Sequence, residues 1–301
     1  MSGFINNLKS ILLPRIISYI ISGIITLWLI IKYINTLYKT RGPWDKLNSN
    51  DLALITGGSN GLGLEISKIL ISKKVKVLNL DIEPPIEKID SIYFNCDLSK
   101  ENEIFEIINK IKNQYGIPTI LINNAAIRHN ELLIQLNYQK INEIIQINTM
   151  APIILLKEFL KLHNPSKKLY IINMASILGL VSPSNLSIYS ATKSFLVSLH
   201  DSLSHELISN KNIRFLLVTP GQLDTKLFKD VKPPREFFAP IIKSKVLANE
   251  IVNKIELGER GVIQGPFYTN FIPILRILPF FMNEFARWFS QMDTSVKQNI
   301  E

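Results

Sequence analysis

Asp51-Leu-Ala-Leu-Ile-Thr56, Gly57-Gly58-Ser59-Asn60-Gly61-Leu62-Gly63 and Leu64-Glu-Ile-Ser-Lys-Ile-Leu-Ile-Ser72 follow one another without a break. The first run is short and apolar and reads as a buried strand. The third reads as a helix. Between them is a glycine-rich turn. Its glycines let backbone N–H groups approach a pyrophosphate, and the helix N-terminus adds its positive end. Strand, glycine turn and helix in this order make a phosphate cradle over the turn from Gly57 to Gly63.

Working outward, strands and helices alternate. Val75 to Leu80 reads as the second strand, closed by Asp81. A carboxylate there can accept hydrogen bonds from an adenosine ribose, or it can serve only as a turn residue before Pro84-Pro85. Ile92 to Asn95 reads as the third strand and leads to Cys96-Asp97-Leu98-Ser99. Asp97 can meet the adenine edge or shape the turn. Ser99 is placed to cap a helix from about Lys100 to Tyr115. Thr119 to Ile122 reads as a fourth strand ending in Asn123-Asn124-Ala125-Ala126, small enough to pack against a flat cofactor. A helix from about Tyr138 to Leu162 carries Asn148, which is mildly unfavourable there. It therefore has a polar task or bends the helix before Pro152. Leu169 to Asn173 and Ile213 to Thr219 read as the fifth and sixth strands. A helix from Lys243 to Leu257 and a strand at Gly261 to Gln264 complete a doubly wound parallel α/β sheet of about seven strands.

After the fifth strand come Ser176 and then Tyr189-Ser190-Ala191-Thr192-Lys193. Residues four apart on a helix share a face. A lysine ammonium beside a phenol stabilises phenolate, which predicts a Tyr189 pKa lowered toward neutrality. Such a phenol can exchange a proton with an alcohol oxygen, and Ser176 can hydrogen-bond the same oxygen. Together they are half of a carbonyl/alcohol redox site, and the phosphate cradle implies the hydride carrier.

Composition narrows the class. Apolar content of 47% allows a full core, and charged content of 20% is that of a folded chain. The net charge of +9 is spread out, so a solvated basic surface or an anionic membrane suits it better than nucleic acid. Cys96 is the only cysteine, which excludes an internal disulfide and a cysteine metal site. His129, His163, His200 and His205 lack ligand spacing and read as ordinary surface or helix residues; no metal is expected.

Ile16 to Ile31 is almost wholly apolar, and Tyr33, Ile34, Leu37 and Tyr38 extend it if Lys32 snorkels. Trp28, Tyr33 and Tyr38 suit a membrane interface. Residues 1–46 are read as an N-terminal membrane anchor and linker, either spanning or inserted shallowly. Residues 47–265 are the dinucleotide-binding catalytic domain, and 266–301 an apolar C-terminal extension. Lys32, Lys39, Arg41 and Lys46 outnumber Lys9 and Arg15, which places the catalytic domain in the cytosol. The proline-broken segment from Phe228 to Pro240 is a candidate substrate lid. The tail from Phe267 to Phe289 is open to three readings: pocket cover, membrane contact or core packing.

Taken together, Thr56-Gly57-x-x-x-Gly61-x-Gly63, Asn123-Asn124-Ala125-Ala126, Asn148, Ser176, Tyr189-x-x-x-Lys193 and Pro220-Gly221 resemble the short-chain dehydrogenase/reductase family over about Asp51 to Gln264. Ala126 stands where that family usually has glycine. The anchor is similar to that of the membrane-bound branch with hydroxysteroid and retinol dehydrogenases. The resemblance implies Tyr189 as general acid/base, Lys193 as its pKa modulator and ribose holder, Ser176 as the substrate-oxygen ligand and Asn148 as the holder of a relay water. It places the cofactor against Gly57, Ser59, Asn60, Gly61, Leu62, Gly63, Asp81, Asp97, Leu98, Asn124, Tyr189, Lys193, Leu223 and Thr225. No basic residue stands at Asn60 or Asp81, so NAD(H) is favoured and NADP(H) left open. The expected activity is oxidation of a lipophilic alcohol, or the reverse, on the endoplasmic reticulum or a lipid droplet. The alternatives are an NADPH-dependent reductase of a 3-keto sphingoid base and a catalytically silent membrane scaffold. A homodimer is left open.

Overall fold

A computed structural model describes residues 2–231, 233, 235–237 and 239–296. The chain divides into two compact units, Met1–Gly42 and Pro43–Glu301. The first is one helix, α1 (Ser2–Lys39). Its window Arg15–Lys39 has 25 residues, none of it buried within the protein. At 1.5 Å per residue that is about 37 Å, against an apolar bilayer core of about 30 Å. By length and composition it can cross a membrane.

The second unit is a seven-stranded parallel sheet. In chain order its elements are β1 (Leu52–Thr56), α2 (Gly61–Ser72), β2 (Lys76–Asp81), β3 (Ser91–Asn95), α3 (Glu101–Gln114), β4 (Ile120–Asn123), α4 (Tyr138–Ile145), α5 (Ala151–Leu162), β5 (Leu169–Met174), α6 (Ser187–Glu206), β6 (Ile213–Pro220), α7 (Ser244–Leu257), β7 (Gly261–Gly265), α8 (Ile272–Leu275), α9 (Phe280–Ser290) and α10 (Met292–Ser295). The strand order is β3-β2-β1-β4-β5-β6-β7. β1, β4, β5 and β6 are buried along their length, as a sheet covered on both faces requires. Alternate residues face opposite layers. Leu52, Leu54 and Leu121 pack with Ile104, Ile108 and Phe159 of α3 and α5. Ala53, Ile55 and Ile122 pack with Ile66, Leu70, Ile251 and Ile255 of α2 and α7. The order reverses between β1 and β4, so a crevice opens beyond their C-terminal ends.

Three local expectations change. The helix expected over Tyr138 to Leu162 is α4 and α5 joined by a π-helical turn, Gln146–Met150. Pro152 lacks the N–H that an unbroken helix would need, and the wider turn accommodates it. Ser99 does not cap α3: the N-cap is Lys100, and the Ser99 hydroxyl donates to Asp97 Oδ1 at 2.7 Å. Trp44, placed in the linker, is packed into the second unit. Its Nε1 donates to Ile255 O at 2.9 Å, and its ring meets Tyr170 edge-on at 5.6 Å. The Arg214 guanidinium lies 4.6 Å from the ring centroid.

Arg214 is fully buried. It donates to the carbonyls of Gly258 and Pro43, and burial lowers its pKa to about 10. Gly258 ends α7 in the left-handed region, φ +58°, and a Cβ there would sit 2.4 Å from Trp44 Cγ. Gly258→Ala combines a left-handed alanine, about 1–2 kcal/mol, with overpacking, about 1–3 kcal/mol. We expect a loss of about 2–5 kcal/mol in urea unfolding. A change under about 0.5 kcal/mol would show that the Trp44 seat yields freely.

Candidate active site

The crevice beyond β1 and β4 is a cavity of ≈ 480 Å³. Its floor is the glycine turn. Gly57 N–H donates to Leu80 O at 2.8 Å and Gly58 N–H to Asn79 Oδ1 at 2.9 Å. Gly57 has φ +66°, and a Cβ on Gly63 would stand 2.2 Å from Gly57 O. The turn therefore requires its glycines and leaves a side-chain-free backbone concavity at the start of α2. Asn124 clamps it from β4: Nδ2 donates to Thr56 O at 2.9 Å and Gly57 O at 3.0 Å. Such a surface fits a dinucleotide pyrophosphate.

Of the residues assigned to the cofactor, Gly57, Asn60, Gly61, Leu62, Asp81, Asp97, Leu98, Asn124, Leu223 and Thr225 line this cavity, as do Tyr189 and Lys193. Ser59 and Gly63 do not. Ser59 is fully buried, and its hydroxyl donates to Glu83 O at 2.6 Å; it shapes the turn from behind. Asp81 ends β2 at the cavity edge, its Oδ2 accepting Ser59 N–H at 3.0 Å. Asp97 accepts from Ser99 N–H at 3.0 Å. Burial works to raise its pKa, but the Ser99 bonds and Lys100 outweigh it and hold the carboxyl below its usual range. Among the described lining residues, Lys193 is the sole lysine or arginine.

Ser176, Tyr189 and Lys193 meet at the far end of the cavity, all three buried. Ser176 follows β5, and its Oγ accepts Leu178 N–H at 3.1 Å. Lys193 Nζ donates to Met174 O at 2.7 Å and lies 5.7 Å from the Tyr189 ring centroid. The α6 helix that carries the pair packs so closely that a Cβ on Gly179 would lie 2.7 Å from Lys193 C.

The electrostatics correct the expectation of a lowered tyrosine pKa. Burial pushes the Tyr189 phenol well above its ordinary range, with Ser176 hydrogen bonding and the Arg128 charge pulling the other way. Burial also draws Lys193 down to about 7. Desolvation dominates at both groups. The pair thus holds a neutral phenol, a proton donor, beside an amine able to change charge near neutrality.

Asn148 is buried in the π-helical turn and does not line the cavity. Its Oδ1 accepts Ile127 N–H at 2.9 Å. Its Nδ2 donates to Ile127 O at 2.9 Å and to Thr192 Oγ1 at 3.1 Å. Thr192 in turn donates to Tyr189 O at 2.7 Å. Asn148 therefore fastens the loop after β4 to the helix of the phenol.

Two further residues shape the site without a sequence signal. His129 is buried, not superficial, and its Nε2 accepts the N–H groups of Ile188 at 3.1 Å and Tyr189 at 3.4 Å. It satisfies donors at the start of α6, and burial lowers its pKa. Arg128 bonds Asp230 and Leu227 O, and stacks 4.9 Å from the Phe228 ring centroid. Phe228 meets Tyr189 edge-on at 5.8 Å. The candidate lid thus begins as a latched wall; its positions 232, 234 and 238 lie outside the described residues.

A second cavity of ≈ 230 Å³ shares Ser176, Gly221 and Phe228 with the first. Leu178, Val231, Tyr268, Ile272 and Leu275 help to make it apolar. The tail thus covers a chamber beside the redox end of the crevice.

Comparison with known proteins agrees with this geometry. The short chain dehydrogenase family model matches residues 51–236. An uncharacterized oxidoreductase of Saccharomyces cerevisiae, TDA5, is 37% identical over 270 residues, covering 86% of this chain and 83% of its own. Retinol dehydrogenase 10 of Xenopus tropicalis is 25% identical over 278 residues, covering 79% and 81%. A solved 4-hydroxyisoleucine dehydrogenase complexed with NADH superposes with a TM-score of 0.64 at 25% identity, covering 72% of this chain and 98% of that one.

The Lys193 pKa has a consequence for stability. Below pH about 7 both folded and unfolded states hold the proton, and the cost of burying the ammonium is fully felt. Between about 7 and the unfolded value of 10.5 the unfolded chain binds more protons, so stability rises with pH. Lys193→Met should flatten that slope and, after loss of the Met174 bond, stabilise the protein at neutral pH by about 2–4 kcal/mol. Urea unfolding of wild type and variant at about pH 7 and pH 10 checks both. A wild-type slope in the variant would contradict the buried-amine assignment.

Proposed function

The chain belongs to the short-chain dehydrogenase family and is a nicotinamide-dependent oxidoreductase, and we propose that it interconverts a lipophilic alcohol and its ketone or aldehyde with NAD(H). The observation that carries this reading is the apolar chamber joined to the cavity end where Ser176, Tyr189 and Lys193 converge. The distant likeness to a retinol dehydrogenase supports a lipophilic substrate.

A nicotinamide cofactor held by the glycine turn, Asp81 and Lys193 would supply the hydride for reduction of the carbonyl carbon. Tyr189 Oη gives its proton to the carbonyl oxygen, and the Ser176 hydroxyl donates a hydrogen bond to that oxygen as negative charge develops. Lys193 stabilises the phenolate left behind once it carries a proton. Oxidation runs the same transfers in reverse. Phe228, held by Arg128, covers the phenol and excludes water from one side. Asn148 acts here by fixing α6 through Thr192.

Asp81 supports NAD(H). Its carboxylate, at the end of β2, can accept from ribose hydroxyls and repels a 2′-phosphate. At about 4 Å and an effective dielectric near 20, a unit-charge pair costs about 4 kcal/mol before screening. Lys73 is engaged instead with Glu256, at 2.6 Å. The 3-keto sphingoid base reductase would need NADPH and is disfavoured by the same carboxylate. The intact Ser176, Tyr189 and Lys193 argue against a silent scaffold. The α1 helix supports membrane attachment, and the excess of Lys32, Lys39, Arg41 and Lys46 over Lys9 and Arg15 favours a cytosolic second unit.

Purified full-length protein, offered sterol, retinoid and fatty aldehyde panels with NADH and NADPH, tests the reading. The expected outcome is kcat/KM at least about tenfold higher with NADH, narrowing in Asp81→Ala. A wild-type preference for NADPH that the substitution leaves unchanged would favour the lipid reductase. Absence of turnover on every panel would favour the scaffold.

A further inference from the structure

The apolar chamber has a roof whose other side is unusual. The roof is α8 and α9, set between Pro273, Pro279 and the left-handed Gln291. The inner face of α9 turns Ala286, Arg287 and Ser290 to the chamber. Its outer face carries Phe281, Phe285 and Trp288, at 73%, 62% and 71% exposure, with Phe280 at 80% at its start and Ile277 at 81% just before. Phe285 and Trp288 touch, ring centroids 5.7 Å apart. A soluble protein rarely leaves so many large side chains together in water. Glu284 is the one carboxylate on this face of the helix.

Several observations select the occupant. A helix of 11 residues is about 16 Å long, too short to cross a bilayer but suited to lying in its interface. Phenylalanine, tryptophan and isoleucine are the side chains that immerse there. The chain carries +9 net charge, which an anionic lipid surface attracts. The same chain also owns a wholly exposed 25-residue apolar helix, for which a bilayer is the natural solvent. A second protein copy would explain the aromatic face but not that helix.

We propose that the outer face of α8–α9 is a membrane-docking surface, and that lipophilic substrate passes from the bilayer under this roof into the chamber beside Ser176. The delivery half rests on the function proposed above; the docking half does not. Docking places the chamber wall at the level of the acyl chains. A substrate tail then exchanges one apolar environment for another, and its polar head alone must reach Ser176 and Tyr189. The structural role of the prolines follows: they break the tail into short helices that can lie flat over the chamber.

The test uses the full chain in vesicles of phosphatidylcholine with a minority of phosphatidylserine. Cys96 is fully buried, and burial with nearby carboxylates pushes its thiol up to about 12, so it does not compete for a thiol-directed label. A nitroxide placed through Phe285→Cys is expected to be accessible to oxygen and shielded from a water-soluble nickel chelate. The same label through Glu106→Cys on α3 should show the reverse. Equal chelate access at both positions would overturn docking. Dipolar broadening between labels at position 285 would assign the face to a second copy and would also overturn it.

For delivery, the Phe281→Ser, Phe285→Ser, Trp288→Ser variant is assayed with dodecanal dissolved in the vesicles and with propanal in water. The expected result is an increase in KM for dodecanal of about tenfold or more, with unchanged kinetics for propanal. Unchanged kinetics for both would overturn delivery. If wild type turns over neither aldehyde nor any member of the sterol, retinoid and fatty aldehyde panels, the proposed function fails and delivery with it, while the label still decides docking.

Discussion

Burying a lysine amine against a strand-end carbonyl is the constraint from which the rest of this structure follows. Lys193 reaches from α6 to Met174 O at 2.7 Å, and both it and Tyr189 are buried. An ammonium so placed is costly, which is why burial brings its pKa to about 7. The arrangement holds only if α6 is pressed onto the loop after β5. Gly179 permits that approach, and Ser194 Oγ secures it by donating to Gly179 O at 2.6 Å. The nearby α6 N-terminus would otherwise present buried, unpaired donors, and His129 accepts them.

The cofactor end of the crevice is built by the same economy of backbone contact. Asn124 spends its amide on Thr56 and Gly57 carbonyls, and Thr56 Oγ1 accepts N–H from both Asn124 and Ala125 at 3.0 Å. The end of β4 is thereby sewn to the end of β1 across the point where the strand order reverses. Asn148 does the same between the loop after β4 and α6. Phosphate cradle and proton-handling pair are therefore held in one frame, although more than a hundred residues separate them in the chain.

What the sequence reveals and what it hides divides along the range of the interactions. The glycine turn, the Tyr189–Lys193 spacing and the apolar strands are local patterns, and the sheet and most lining residues follow from them. Asn148 was visible as an anomaly, a polar residue within an apolar helix, but its partners Ile127 and Thr192 were not. His129 gives no sign of its role, because it serves amides some sixty positions away. The Tyr189 shift runs opposite to the expectation from spacing for a related reason. Spacing reports the neighbouring charge, whereas the desolvation that wins depends on everything folded around the pair. Ser59 looked like a cofactor ligand from its place in the turn, yet its side chain faces the other way, to Glu83 O. In the tail, composition showed apolarity, and only folding separated a face toward the chamber from a face toward solvent.

The central claim is that the buried Tyr189 phenol is the group that exchanges the proton with substrate oxygen. The most direct measurement compares wild type and Tyr189→Phe in two readouts: NADH affinity by fluorescence titration, and the single-turnover rate of NADH oxidation with a saturating aldehyde. The account predicts near-wild-type NADH affinity, because the cradle is untouched, with a rate lower by about 10²–10⁴-fold, as loss of acid/base catalysis typically gives. A variant that transfers hydride at close to the wild-type rate would contradict it.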